Sequence, residues 1–223
     1  MPKEINRLVI DALSDHLFTA GVKSNSVATR EQAETSQTYM VGNILMDNLR
    51  FNHDRLRRPV FMDNVKGRYI VFTLNRRALL SDVDNLYRMA DAMIEASGDL
   101  TIIAPLRDEA REKMKRYEGK MLVVYPLSYL EFGWVAANAT GIITDSGNVA
   151  EEATFNGVPC ITLNSYTEHQ ETVSVGSNVL VGEDADRLRG AVNQMVSGEW
   201  KKSALPDRWD GRTAERIVKI LIQ

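Results

Sequence analysis

The chain has 223 residues, 44% of them hydrophobic, and its 27 basic and 30 acidic residues leave a formal net charge of −3. That is enough for a buried core, while the interleaved charges offer no basic block for a nucleic-acid partner and no apolar run reaches the roughly 18 residues of a membrane helix. One cysteine, Cys160, and three scattered histidines, His16, His53 and His169, exclude an internal disulfide and a paired zinc site and fit a reducing cytoplasm.

The N-terminal stretch PKEINRLVIDALSDHLFTAG opens on charged residues without a signal-peptide core. It spaces Ile5, Leu8, Val9, Ala12, Leu13 and Leu17 along one helical face, which predicts a short amphipathic helix relaxing near Gly21. Residues 22–40 are polar and weakly patterned and read as a loop with at most a turn of helix. Tyr39 to Val41 reads as a short strand ending at Gly42-Asn43, and a helix follows over about 44–56.

From Arg68 the chain alternates regularly. Apolar runs at 69–73, 100–104, 121–124, 141–144, 160–163 and 178–181 predict strands. Helices are predicted over 81–97 with Ser81 as N-cap, and over about 108–117, 129–138, 149–156, 184–196 and 211–222. Short, wholly apolar strands between helices indicate a parallel sheet covered on both faces. The expected fold is therefore α/β, a doubly wound, Rossmann-like parallel sheet. The chain divides into a helix over 1–22, a loop over 23–40 and a domain over 41–223 that closes on an added helix.

The segment richest in chemistry is GIITDSGNVAEEATFNGVPCITL, residues 141–163. A buried strand ends at Thr144, a tight Asp145-Ser146-Gly147 turn follows, and a helix begins almost at once. Ligands of such sheets bind outside the carboxyl ends of the strands. Free N–H groups at a helix start, with the dipole behind them, suit a phosphate or diphosphate. Gly147 permits close approach, Ser146 offers a hydroxyl, and a carboxylate at Glu151 or Glu152 could accept both hydroxyls of a ribose. The plain alternative is that Ser146 or Asp145 simply caps a helix and the glutamates are solvated. Neither a Walker loop nor G-x-G-x-x-G occurs.

The string TDSGNVAEEATFNGVPCITL, followed by YTEHQETVSVGSNVLVG, resembles the signature region of the non-hydrolysing UDP-N-acetylglucosamine 2-epimerases: T-D-S-G-G-x-Q-E-E, then G-x-P, T-E-R-P-E and G-[TS]-N-x-L-V-G. VGNILMDNL at 41–49 is similar to that family's T-G-N-T-x-x-D-x-L, PLSYLEFGWVAANATGIITDSG to its P-x-x-Y-x-x-F segment, and WDGRTAERIVKIL to its closing helix. PKEINRLVIDALSDHLFT resembles the stretch joining the family's two lobes, so the likeness runs in order along nearly the whole chain.

The resemblance implies one lobe of a two-lobed, glycosyltransferase-B-type fold: an inter-lobe helix over 1–22 and a UDP-binding domain with a crossover-type final helix. It implies that Phe132 lies against uracil, that Ser146, Gly147 and Asn148 meet the diphosphate, that Arg76 faces the phosphates and that Glu152 holds the ribose. Thr167 and Glu168 would line the sugar-side loop. The corresponding ligand is UDP or a UDP-N-acetylhexosamine, with no cofactor and no metal. Phe132 could instead be plain core, and Arg76 with Arg77 a solvated pair.

Three departures stand out. The lobe that aligns is the family's second, and the first, which carries the carboxylates that move the C2 proton, is absent. The family's H-R-x-E-N appears as Asn75-Arg76-Arg77-Ala78-Leu79, so the histidine position holds a residue that cannot titrate and no catalytic residue is assigned. Arg107 replaces the histidine of P-x-H, Asn148 the second glycine and His169 the usual arginine. The expected function is the UDP-binding half of a UDP-N-acetylglucosamine 2-epimerase, inactive alone. It would be completed by a first-lobe chain or joined in a homo-oligomer. The alternative is a non-catalytic UDP-sugar-binding or assembly protein.

Overall fold

The computed structural model describes residues 2–31 and 36–223, with the side chains of residues 2 and 3 outside that description. The chain divides into two units, Met1–His53 with Leu205–Gln223, and Asp54–Ala204.

In the first unit α1 (Pro2–Leu13), β1 (His16–Thr19), α2 (Val22–Glu31), β2 (Gln37–Met40) and α3 (Ile44–Asn52) follow one another. The expected single helix through Gly21 is thus corrected. The helix stops at Leu13, and after Ser14 and Asp15 the four residues His16–Thr19 pair in parallel with Gln37–Met40, His16 opposite Gln37 and Thr19 opposite Met40. Burial along β1 alternates, with Leu17 and Thr19 inward and the Phe18 ring stacked on Tyr39 at 5.9 Å. His16 accordingly sits on a strand rather than on a helix face. The expected loop is corrected as well, because residues 22–31 are helical, held to α1 by Arg7, which ion-pairs with Asp11 and Glu31 at 2.8 Å each. Residues 32–35 of that expected loop lie outside the described residues. Asn43 caps α3, its side-chain oxygen accepting from Leu45 N at 2.9 Å.

The second unit runs β3 (Tyr69–Phe72), α4 (Arg77–Ser81), α5 (Val83–Ser97), β4 (Thr101–Pro105), α6 (Asp108–Met114), β5 (Leu122–Val124), α7 (Tyr129–Ala137), β6 (Gly141–Thr144), α8 (Gly147–Phe155), β7 (Cys160–Thr162), α9 (Gln170–Ser174), β8 (Asn178–Leu180) and α10 (Ala185–Ser197). The last helix, α11 (Thr213–Leu221), belongs to the first unit. Ser81 is not the cap of the long helix. It ends α4, its hydroxyl donating to Arg77 O at 2.8 Å, and Asp82 caps α5 by accepting from Asn85 N at 3.2 Å. α4 and α9 have no counterpart in the sequence reading.

All six strands of this unit are parallel, in the order β5-β4-β3-β6-β7-β8. Alternate side chains go to opposite faces. Ile70, Phe72, Ile102, Ile143 and Ile161 join one apolar cluster with residues of α5, α6 and α10. Tyr69, Val71, Ile103, Ile142 and Cys160 join the other with residues of α7 and α8. Burial on both faces explains why the strands read as continuous apolar runs, and it gives the doubly wound, Rossmann-like sheet. The chain moves outward from β3 to β5, returns to the middle at β6 and moves outward the other way. The order therefore reverses between β3 and β6, where the carboxyl ends of two neighbouring strands open a crevice. Among the described residues no helix is long and apolar enough to cross a membrane.

Candidate functional site

The crevice is fastened by polar contacts at the ends of β3 and β6. The hydroxyls of Thr73 and Thr144, both buried, share a hydrogen bond of 2.7 Å, and Ser146 N donates to the Thr144 hydroxyl at 3.0 Å. Asp145 spans the two strands: its Oδ2 accepts from Asn75 N at 2.6 Å and from Arg76 N as well. Its other oxygen, Oδ1, is buried without a hydrogen-bond partner. Asn164 donates to Asp145 O at 3.2 Å and accepts from the Arg76 guanidinium at 2.6 Å, which also lies 3.3 Å from Glu183. Arg76 is therefore tied down, whereas Arg77 is exposed.

Hydrogen bonds to a carboxylate contribute more than neutral ones. Asp145→Ala is expected to cost about 2 kcal/mol in urea unfolding and to speed amide exchange at Asn75 and Arg76. Unchanged exchange at those two amides would show that something other than Asp145 holds the turn.

α8 begins one residue after Asp145-Ser146, two residues earlier than the sequence reading placed it. Ser146 has the extended backbone of an N-cap, φ −98° and ψ 124°, but its side chain makes no capping hydrogen bond. The first-turn N–H groups of Gly147, Asn148 and Val149 have no intrahelical acceptor, so the hydroxyl and these donors stand together at the positive end of the helix. Asn148 is exposed. A methyl group at Gly147 would sit 2.3 Å from Cδ2 and Nε2 of His169, so glycine here makes room for an imidazole.

Residues four apart share a helix face. Gly147 and Glu151 form one such pair, and His169 lies against both, its Nδ1 2.7 Å from Glu151 Oε1. The loop before α9 fixes the ring. His169 N donates to the Thr167 hydroxyl at 3.0 Å, and His169 O accepts from Thr172 N and its hydroxyl. The Glu151 hydrogen bond holds the imidazole above its ordinary pKa, against partial burial, and the charges of Glu151, Glu168 and Glu171 act in the same direction.

Glu152 is not solvated: only 8% of it is exposed, and burial, with the charge of Glu151 beside it, pushes its carboxyl up to about 7. Glu168 is exposed. Phe132, on α7 behind a capping box formed by Ser128 and Glu131, is half-buried and packs against the apolar cluster of that face. Sequence reasoning missed two members of the site. In the sequence Asp145 stands only as part of the turn or, in the plain alternative, as a helix cap, and His169 only as a departure from the usual arginine. The Glu151 partner of His169 lies 18 residues away and is brought to it only by folding.

The sequence profile of the UDP-N-acetylglucosamine 2-epimerase family matches residues 1–222. A UDP-N-acetylglucosamine 2-epimerase of Methanocaldococcus jannaschii is 33% identical over 239 aligned positions, covering 99% of this chain and 64% of that protein. A UDP-2,3-diacetamido-2,3-dideoxy-D-glucuronate 2-epimerase of Pseudomonas aeruginosa is 32% identical, covering 84% of this chain and 54% of that protein. The crystal structure of the M. jannaschii enzyme in complex with UDP-GlcNAc and UDP superposes with a TM-score of 0.82 at 32% identity, covering all of this chain and 65% of that one. That of the Neisseria meningitidis enzyme bound to UDP-GlcNAc, at 22% identity and a TM-score of 0.83, shares the fold. The chain thus spans 54–65% of the length of these relatives. The ordered motifs, the doubly wound sheet and a profile match that leaves out a single residue agree, and the chain belongs to the UDP-N-acetylglucosamine 2-epimerase family.

Proposed function

We propose that this chain binds the UDP portion of a UDP-N-acetylhexosamine where β3 and β6 end, as the nucleotide-holding part of a 2-epimerase. The observation that carries the reading is the start of α8. A cap serine with an uncommitted hydroxyl and open first-turn donors precedes, by one and a half turns, a carboxylate buried at Glu152. In this reading the diphosphate lies on Ser146, Gly147 and Asn148, where the helix dipole favours negative charge. Arg76 adds a fixed positive charge at the phosphates. Glu152 accepts the two ribose hydroxyls, whose hydrogen bonds replace the water its carboxylate has lost. Phe132 lies against uracil, and Thr167 and Glu168 border the sugar.

Inversion at C2 requires a proton to leave one face and return to the other, which calls for a pair of titratable groups flanking the sugar. Asn75 cannot serve. We assign the pair to whatever polypeptide supplies the remainder of the relatives' length, in the same protein or another, and to this chain's own residues binding without turnover. The apolar side chains exposed along α1, among them Ile5, Ile10 and Leu13, support association with such a polypeptide. Asn75, in place of a titratable histidine, favours a second reading, a UDP-sugar-binding protein without catalysis.

Calorimetry with UDP and UDP-GlcNAc tests the binding step. We expect both to bind, and Glu152→Ala and Phe132→Ala each to weaken UDP about tenfold or more, the loss of one good contact. Parent-like affinity in both variants, or no heat at millimolar UDP, would sink the site. Turnover of UDP-GlcNAc to UDP-ManNAc on mixing with a first-lobe polypeptide separates the epimerase from the non-catalytic binder.

A further inference from the structure

We propose that His169, positioned by Glu151, is a proton-dependent ligand of the anion bound at the start of α8, so that its contribution to nucleotide affinity falls as pH rises. The inference rests on the UDP site proposed above and adds its regulation.

The geometry assigns the two ring nitrogens different tasks. Nδ1 faces the buried carboxylate of Glu151 at 2.7 Å. An ionised carboxylate can only accept, so it keeps the proton on Nδ1 and leaves Nε2 as the nitrogen that gains or loses one. Nε2 lies over Gly147, so near that a methyl group there would be 2.3 Å from it. When protonated, Nε2 presents a donor and a positive charge beside the first-turn N–H groups. When neutral, it presents a lone pair, which repels a phosphate oxygen.

The charges that bear on the ring are Glu151 from α8, Glu168 from the loop before α9, and Glu171 from α9 itself, and all three favour the imidazolium. The positive end of α8 opposes it. A bound diphosphate removes that opposition, so anion and proton should bind together. Family members commonly carry arginine here, which holds its charge at every working pH. Histidine makes the same contact conditional.

The test is the UDP dissociation constant of the full chain between pH 6.5 and 9, beside His169→Arg. The ionisations of UDP and of Glu152, whose raised carboxyl faces the ribose in the proposed site, are common to both proteins and cancel in the comparison. The parent is expected to weaken about tenfold or more over that range relative to His169→Arg, the consequence of linking binding to one proton. In the parent, the His169 ring signal followed by NMR should titrate at higher pH with saturating UDP than without, a reading that does not depend on the variant folding. Parallel slopes in the two proteins, or a ring titration that UDP does not move, overturn the inference and leave the UDP site standing. Absence of UDP binding at every pH in the parent overturns the site, and the inference with it.

Discussion

Glu152→Gln is expected to stabilise the 54–204 unit by about 3 kcal/mol above pH 7, while weakening UDP binding about tenfold. The cause is the raised carboxyl, which titrates near 7 in the folded chain against an ordinary 4.5. A folded-state pKa above the unfolded one means that the folded chain holds its proton longer. As pH rises from 4.5 towards 7 the unfolded chain ionises first, so stability falls across that window and levels off above it. A shift of this size corresponds to about 3 kcal/mol at 1.36 per unit. Glutamine keeps the shape and has no charge to bury, so the falling limb disappears. It also keeps only one acceptor oxygen, too few for two ribose hydroxyls bound as to a carboxylate. Urea unfolding at pH 5 and at pH 8 checks the claim. The gain should be small at the first and large at the second, and an equal gain at both would show that Glu152 does not carry the pH dependence. Lower stability in exchange for a buried carboxylate is what a binding role for Glu152 requires.

The sheet was legible because burial on both faces writes itself into the sequence as unbroken apolar runs. Gly141–Thr144 was bounded to the residue, and the neighbouring strands to within one. The N-terminal region was not, for a reason visible in Leu17. It continues the helical spacing of Leu8 and Leu13, yet it sits in a strand whose partner is 21 residues downstream, a pairing that no local period reports. α2 was read as loop because VKSNSVATRE is polar almost throughout and buries only Ala28. Asp82 rather than Ser81 caps α5 because a short helix, α4, has already claimed Ser81. The same distinction runs through the site. Ser146 and Gly147 stand where a local strand-turn-helix pattern places them. The two backbone donors on Asp145 lie 70 and 69 residues from it, and the Glu151–His169 contact joins residues 18 apart. Gly147 was noted for access to an anion, and its neighbour is the ring of His169.

Gly42→Ala is expected to destabilise the first unit by about 4 kcal/mol, within the range reserved for strained backbone and core overpacking. Two effects combine. Gly42 has φ +101°, which L-residues rarely adopt and which costs an alanine about 1–2 kcal/mol. The added methyl would also sit 2.1 Å from Arg208 O and 3.0 Å from the Thr213 hydroxyl. These atoms cannot swing aside cheaply, because residues 205–223 are stitched to the earlier part of the unit at several points. Trp209 Nε1 donates to Ala20 O at 2.9 Å, and Arg216 donates to Val41 O at 3.1 Å. Asp47 accepts from Thr213 N and Ala214 N at 2.9 and 2.8 Å, capping α11 from α3. Moving Arg208 away from residue 42 therefore strains the anchorage of the whole C-terminal segment. Gly67 supplies the comparison: its φ is +75°, with nothing within 4 Å of an added methyl, so Gly67→Ala should show the backbone cost alone, about 1–2 kcal/mol. Amide exchange at Val41 and Gly42, whose N–H groups donate to Thr19 O, reads the first variant at its own unit. If Gly42→Ala costs no more than Gly67→Ala, the Arg208 backbone yields freely and the close approach is not what holds the C-terminal segment in place.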